Sequence, residues 1–288
     1  MKLACNISKF NCGIEKAIEL IQPYNFNSLE MNLANFKVKS NEKLTKTEIS
    51  YFKKLLKNAH KANLTFDIIN FNECIDEIKK NSLDQELNMF KKLVYLAQIL
   101  DCHKIGVYIN PDYGSDWQTK IINHLTNLND IANSNDLKLL LRLSTPSNFR
   151  KSSMSNWRAT NPQIWRELIA SIEGLCLSFS PADCVWLGIN YLDILPGIVA
   201  AIENVEAFDI EINRTLLSDS GLFGPLWWQY RMAGKGLVDW RQLIETLKLY
   251  NYDQTVSIQL EDDFLEETDT EYENGLKASI KILKPLIK

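Results

Sequence analysis

Residues 227–262 read WWQYRMAGKGLVDWRQLIETLKLYNYDQTVSIQLED, and they hold a complete helix-then-strand unit. From Asp239 to Leu249 the apolar residues recur at helical spacing. A short, almost wholly apolar run follows at 255–260, as expected of a strand buried on both faces. The same alternation extends outward through the whole chain. Strand patterns fall at 2–6, 28–32, 64–70, 104–109, 137–143, 174–179, 205–210 and 255–260. Helical patterns fall at 14–21, 46–61, 83–100, 116–132, 162–172, 192–203, 239–249 and 271–286. Asn161-Pro162 and Ser115-Asp116 supply an N-cap with a first-turn proline and a second N-cap pair. Eight strand–helix alternations predict a single (β/α)8 TIM barrel over residues 1–288, with no linker, repeat or low-complexity break.

Composition agrees with one globular domain of this size: 45% hydrophobic and 24% charged residues suffice for a large core. A net charge of −4 argues against nucleic acid as a partner, which would favour a basic surface. No run reaches the roughly 18 apolar residues of a membrane span. The six cysteines form no CxxC pair and the start MKLACNISKF has no apolar signal segment, so a reducing, cytoplasmic setting is expected.

In a parallel barrel the chemistry sits where strands end and βα loops begin. That rule selects Asn6, Glu30, Asn70, Tyr108, Arg142, Ser180, Asp183, Glu206, Asp209, Gln259 and Glu261. Glu261 lies two residues beyond Gln259, so on an extended strand both side chains face the same way. His60 and His124 fall in helical patterns, and His103 precedes the fourth strand, at the opposite end of the barrel.

The stretch 227–262 resembles the last βα unit of the sugar-phosphate isomerase/epimerase family, the xylose-isomerase-like TIM barrels, whose pattern is roughly WWrYRlPGxGxVDWxxfixxLxxxGYdGxlSIEhED. Residues 179–190, FSPADCVWLGIN, resemble the family's FDPSHLVWqGID, and residues 206–217, EAFDIEINRTLL, resemble HaKDTEINRxLL. The resemblance implies a barrel that holds a divalent cation through two glutamates, an aspartate and a histidine. In this chain those positions carry Arg142, Gln259, Ser180 and Glu206. The family's neighbouring histidine becomes Asp183 and its substrate-facing lysine becomes Phe208, while Asp209 is kept.

An arginine stays protonated and cannot ligate a metal, and neutral Gln and Ser are poor partners for a hard cation. The family site, with three carboxylates and a dication, carries one net negative charge. Arg142 with Asp183 and Glu206 carries the same. The Arg142 guanidinium is therefore expected in the cation's place, paired with Glu206; the alternative is that it snorkels to solvent beside Asp183.

Three functional readings follow. In the first the protein has no metal or other cofactor and binds a small polyol, sugar or sugar phosphate without the ancestral proton transfer. Glu30, Tyr108, Ser180, Asp183, Asp209, Trp228, Arg231 and Gln259 would then line the site. In the second it is an active isomerase or epimerase with Arg142 as electrophile and Glu206 or Glu261 as base. In the third a displaced Mg²⁺ or Mn²⁺ site forms from Asp183, Glu206 and Glu261. The aromatic run Trp227–Arg231 could stack on a sugar ring, with Arg231 on a hydroxyl, phosphate or carboxylate, or could pack the long loop against the barrel. A homodimer is what the resemblance implies for assembly.

Overall fold

A computed structural model describes residues 1–36, 44–71, 83–108, 117–143, 161–222, 224 and 227–287. Its centre is a closed parallel barrel. The strands are β1 (Lys2–Asn6), β2 (Ser28–Asn32), β3 (Thr65–Asn70), β4 (Lys104–Val107), β5 (Lys138–Arg142), β6 (Cys176–Phe179), β7 (Ile202–Ile212) and β9 (Thr255–Ile258). Each pairs in parallel with its neighbour in that order; β6–β7 and β9–β1 close the cylinder. A further strand, β8 (Trp228–Met232), runs antiparallel to the outer half of β7, with Asp209 opposite Arg231. The (β/α)8 architecture expected from the alternating pattern is therefore present.

Local chemistry explains most boundaries. The helix Lys46–Lys61 opens on a capping box: Glu48 N donates to Thr45 Oγ1, and Thr45 N donates back to the Glu48 carboxylate. Helix Pro162–Ser171 starts at the expected proline, and Asn161 Oδ1 accepts from Ile164 N at 3.0 Å. Asp239 is the cap of helix Trp240–Leu249 rather than its first residue. The proposed cap at Ser115-Asp116 lies outside the described residues. No described helix is long and apolar enough to cross a membrane.

Two expectations are corrected. The segment 192–203 is not one helix. It is a turn of helix at Tyr191–Ile194 and two 3-10 turns, Leu195–Gly197 and Val199–Ala201, and then β7 begins at Ile202. Pro196 cannot donate within a continuous helix, which breaks the pattern there. Glu203, read as helical, sits instead at the start of β7. There its carboxylate meets Lys138 and, at 3.7 Å, the buried Lys104 ammonium. Lys104 also reaches Asp67 Oδ2 and Thr255 Oγ1, each at 3.3 Å, so a charged plug closes the end of the barrel where the strands begin.

The second correction concerns the run Trp227–Arg231, expected in a long loop: Trp228–Met232 instead form a β-hairpin with the end of β7. Asp209 holds its return. Oδ1 accepts from Val238 N at 2.9 Å, and Oδ2 from Gly234 N and Trp240 Nε1, each at 3.0 Å. Gly236 packs so tightly that a Cβ there would lie 2.4 Å from Asp209 Oδ1 and from the Ile210 carbonyl. From the other side, Asp262 accepts from Met232 N and Asp263 from Tyr230 N. Asp209→Ala would strand several buried donors and is expected to cost roughly 3 kcal/mol or more in chemical denaturation. Hydrogen exchange should quicken first across Phe208–Met232; a loss confined to the experimental error would refute this role.

Candidate functional site

A ring of polar side chains crosses the barrel at the outer ends of its strands, and only β4, which carries Gly106 at that level, adds no polar side chain to it. Its centre is Arg142 at the end of β5 and Glu206 on β7. Arg142 Nε donates to Glu206 Oε1 at 2.8 Å and Nη2 to Oε2 at 2.9 Å, a bidentate fork. The Arg142 side chain is 9% exposed and that of Glu206 1%. Burial alone would lower the guanidinium's pKa, but the Glu206 charge and the nearby Tyr108 and Glu30 hold it well above the usual value. Arg142 is therefore a fixed cation, and its guanidinium carbon lies 4.5 Å above the Tyr108 ring. Ser178 on β6 donates to Glu206 Oε1 at 2.8 Å, and Asn204 Nδ2 donates to Ser178 Oγ.

The other half of the ring is built on Glu30 of β2, which is completely buried. Its Oε1 accepts from Asn6 Nδ2 at 3.0 Å and Asn70 Nδ2 at 2.7 Å, and its Oε2 from Gln259 Nε2 at 2.9 Å. Asn6 Nδ2 also donates to Gln259 Oε1 at 2.7 Å. Burial pushes the Glu30 carboxyl above the ordinary carboxylate range and Glu206 adds to this, while Arg142, Ser257 and Asn70 oppose it. The two halves meet over Gly106 of β4, where a Cβ would fall 2.1 Å from Asn70 Oδ1 and 3.2 Å from Arg142 Cδ. Glycine is required there by close approach.

Beside the ring, Asp183 is buried in the helix Pro181–Trp186, with Ser180 as the N-cap. Ser180 Oγ donates to one Asp183 oxygen at 2.6 Å and Tyr230 OH to the other at 2.7 Å, tying the hairpin to this helix. Trp228 stands between Trp186 and Tyr230, with ring centroids 5.7 and 5.3 Å away, and Tyr230 packs edge-on to Phe208 at 4.9 Å.

Arg142, Glu206, Glu30 and Gln259 are thus brought together with Tyr108, and Ser180 with Asp183. The others lie elsewhere. Strand β9 ends at Ile258, so strand alternation does not carry Glu261 inward; it is 38% exposed and faces Lys9 at 3.6 Å. Its expected place as a base beside Gln259 is corrected accordingly. Arg231 is engaged by Glu211 and by Asp262, under the Phe264 ring, and Asp209 holds its turn. Ser178, Asn204, Ser257 and Gly106 were not singled out from the sequence. The signal was strand parity, since Ser178 and Ser257 lie two residues before Ser180 and Gln259.

The donor set does not fit a divalent cation. A guanidinium fills the position next to Glu206, both Glu206 oxygens are engaged, and Gln259 offers an amide already bonded to Glu30 and Asn6. Asp183, Glu206 and Glu261 are not gathered into one site, which corrects the displaced-metal alternative. Among the described residues no group of three or more His, Cys, Asp or Glu could hold a metal ion.

The barrel closely follows known structures. The probable 3-DHS dehydratase AsbF, involved in petrobactin synthesis, from Bacillus anthracis superposes over 99% of both chains, with a TM-score of 0.74 and 13% identity. D-psicose 3-epimerase from Clostridium cellulolyticum H10, solved with D-tagatose, covers 100% of both chains at a TM-score of 0.71 and 12% identity. The fold is that of the xylose-isomerase-like TIM barrels. The IOLI protein, solved with a zinc atom, matches 100% of this chain and 98% of its own at a TM-score of 0.69 and 15% identity. No family model matches the sequence. A Bacillus subtilis (strain 168) protein, the uncharacterized YfiH, is 26% identical over 121 residues, 38% of this chain and 37% of that protein.

Arg142→Met leaves Glu206 buried without its cation and is expected to cost roughly 3–5 kcal/mol. Adding Glu206→Gln removes the uncompensated charge and should recover most of that loss. Additive losses in a double-mutant cycle would show that the two side chains do not act as a pair.

Proposed function

We propose that this protein is a metal-independent barrel of the sugar isomerase/epimerase type that binds a small polyhydroxylated compound, a polyol or sugar, at the Arg142–Glu206 ring. The observation that carries the reading is the bidentate Arg142–Glu206 pair, which provides a permanent positive charge where the resemblance implies a cation. The rest of the ring supports it. Asn6, Asn70 and Gln259 are neutral amides, each able to donate and accept, as a ligand rich in hydroxyls requires. For the ligand class, though not for the absence of a metal, one structural neighbour gives support: an epimerase solved with D-tagatose.

An active-enzyme reading is favoured by one feature. A buried guanidinium can stabilise an oxyanion developing on a bound carbonyl compound, without a metal. In that reading Arg142 is the electrophile. Glu206, whose two oxygens are held by Arg142 and Ser178, keeps the guanidinium in position.

The test is a thermal-shift panel of polyols, free ketoses and sugar phosphates on protein treated with EDTA, with Mg²⁺ or Mn²⁺ added back. A ligand of this class is expected to stabilise the chelated protein by about 2.7 kcal/mol at a hundred times its Kd. Arg142→Met should lose that response. A shift seen only when a divalent cation is restored would overturn the reading.

A further inference from the structure

Between the ring and the charged plug the barrel wall is unusually small and polar. Ala4, Ser28 and Asn204 lie two residues before Asn6, Glu30 and Glu206, so they too face the barrel axis. Ser257, Ala4 and Ser28 are consecutive register partners across β9, β1 and β2. A TIM-barrel interior is ordinarily filled at such positions by bulky branched residues. Two polar atoms of this layer have no hydrogen-bond partner among the described residues, Asn204 Oδ1 and Ser28 Oγ. Their side chains belong to residues 0% and 2% exposed, and buried polar groups are seldom left so.

The neighbours fix the sense of the Asn204 amide. Ser178 gives its one hydroxyl proton to Glu206, so its oxygen can only accept from Asn204 Nδ2. A flipped amide would set acceptor against acceptor, and Oδ1 is therefore the atom left over. No donor of the surrounding wall remains for it. Lys104 Nζ has three protons and gives them to Asp67, the Glu203 carbonyl and Thr255 Oγ1. Thr255 gives its own to Asp67, and Ser257 is bonded to Glu30. Ser28 is three strand steps away around the wall, with β9 and β1 between. At roughly 4.8 Å per step, that is beyond the direct reach of a serine and an asparagine.

We propose that the barrel binds internal water between the ring and the plug, and that this water donates to Asn204 Oδ1 and bonds Ser28 Oγ. The site is polar, walled by small side chains and supplies the two or more partners that a buried water requires. A cation does not suit it. Both groups are neutral, and Asn204 pairs in register with Thr255, whose Oγ1 lies 3.3 Å from the Lys104 ammonium. The water also completes a chain of donors running one way, from water to Asn204, from Asn204 to Ser178 and from Ser178 to Glu206. Every link thus turns its positive end toward the carboxylate that holds Arg142. The inference is independent of the ligand taken at the barrel mouth.

A high-resolution crystal structure of the wild type tests it. A solvent peak is expected within about 3.2 Å of Asn204 Oδ1, bonded to Ser28 Oγ directly or through a second water. Well-defined side chains with no such peak, or Oδ1 closed onto a protein donor, would overturn the proposal. So would a peak whose oxygen neighbours lie at about 2.4 Å, the mark of a cation. In solution, oxygen-17 relaxation dispersion of water counts the internal molecules. Folded Asn204→Leu should lose the equivalent of about one water or more relative to wild type, and an unchanged amplitude would contradict the assignment. Should that variant not fold, Ser28→Val, which fills the same space, is measured in the same way.

Discussion

A buried charge inside a barrel must be answered by an opposite one or it will not stay charged, and Arg142 and Glu206 answer each other. One half of the polar ring at the outer end of the strands is arranged around that pair. Ser178 and Asn204 fix the carboxylate from beneath, the guanidinium carbon lies over the Tyr108 ring, and Gly106 makes room for its stem. A buried ion pair contributes little net stability compared with apolar residues of the same shape, because desolvation offsets attraction. Its presence in the place where chemistry is done in this fold therefore points to function.

The barrel also separates its polar groups by role. At the strand starts Lys104, Asp67, Glu203 and Thr255 form a sealed plug, where TIM barrels keep their stabilising contacts. At the strand ends, the amides around Glu30 and the fork on Glu206 form one layer of polar side chains. Asp209, Asp262 and Asp263 do neither; they pin the β7–β8 hairpin through backbone donors, and the hairpin in turn delivers Tyr230 to Asp183.

Much of this was legible in the sequence, for physical reasons. Strands buried on both faces leave unbroken apolar runs, so the eight-fold alternation was visible, and the ends of helices 14–21 and 46–61 match to the residue. The Arg142–Glu206 pair was expected because the resemblance placed both residues at metal-ligand positions and the charges balanced there. Tertiary contacts decided the rest. Residues 192–203 have helical spacing, yet Pro196 and the pull of Lys104 and Lys138 on Glu203 turn the end of that segment into strand. Glu261 satisfied strand parity, but parity has no meaning beyond the last ladder bond. Asp209 sits in a stretch read from its resemblance to a family motif, while its role here, holding a turn through backbone and indole donors, leaves no trace in residue type. Asn6 and Asn70 were placed correctly at strand ends; that they share one carboxylate could be known only from the fold.

The central claim is that a guanidinium occupies the place of a cation. A crystal structure grown in millimolar Mn²⁺ and measured for anomalous scattering tests it most directly. The account predicts no anomalous peak at the strand ends and Arg142 still forked onto Glu206. A Mn²⁺ peak bonded to Glu206, with Arg142 swung away, would contradict it.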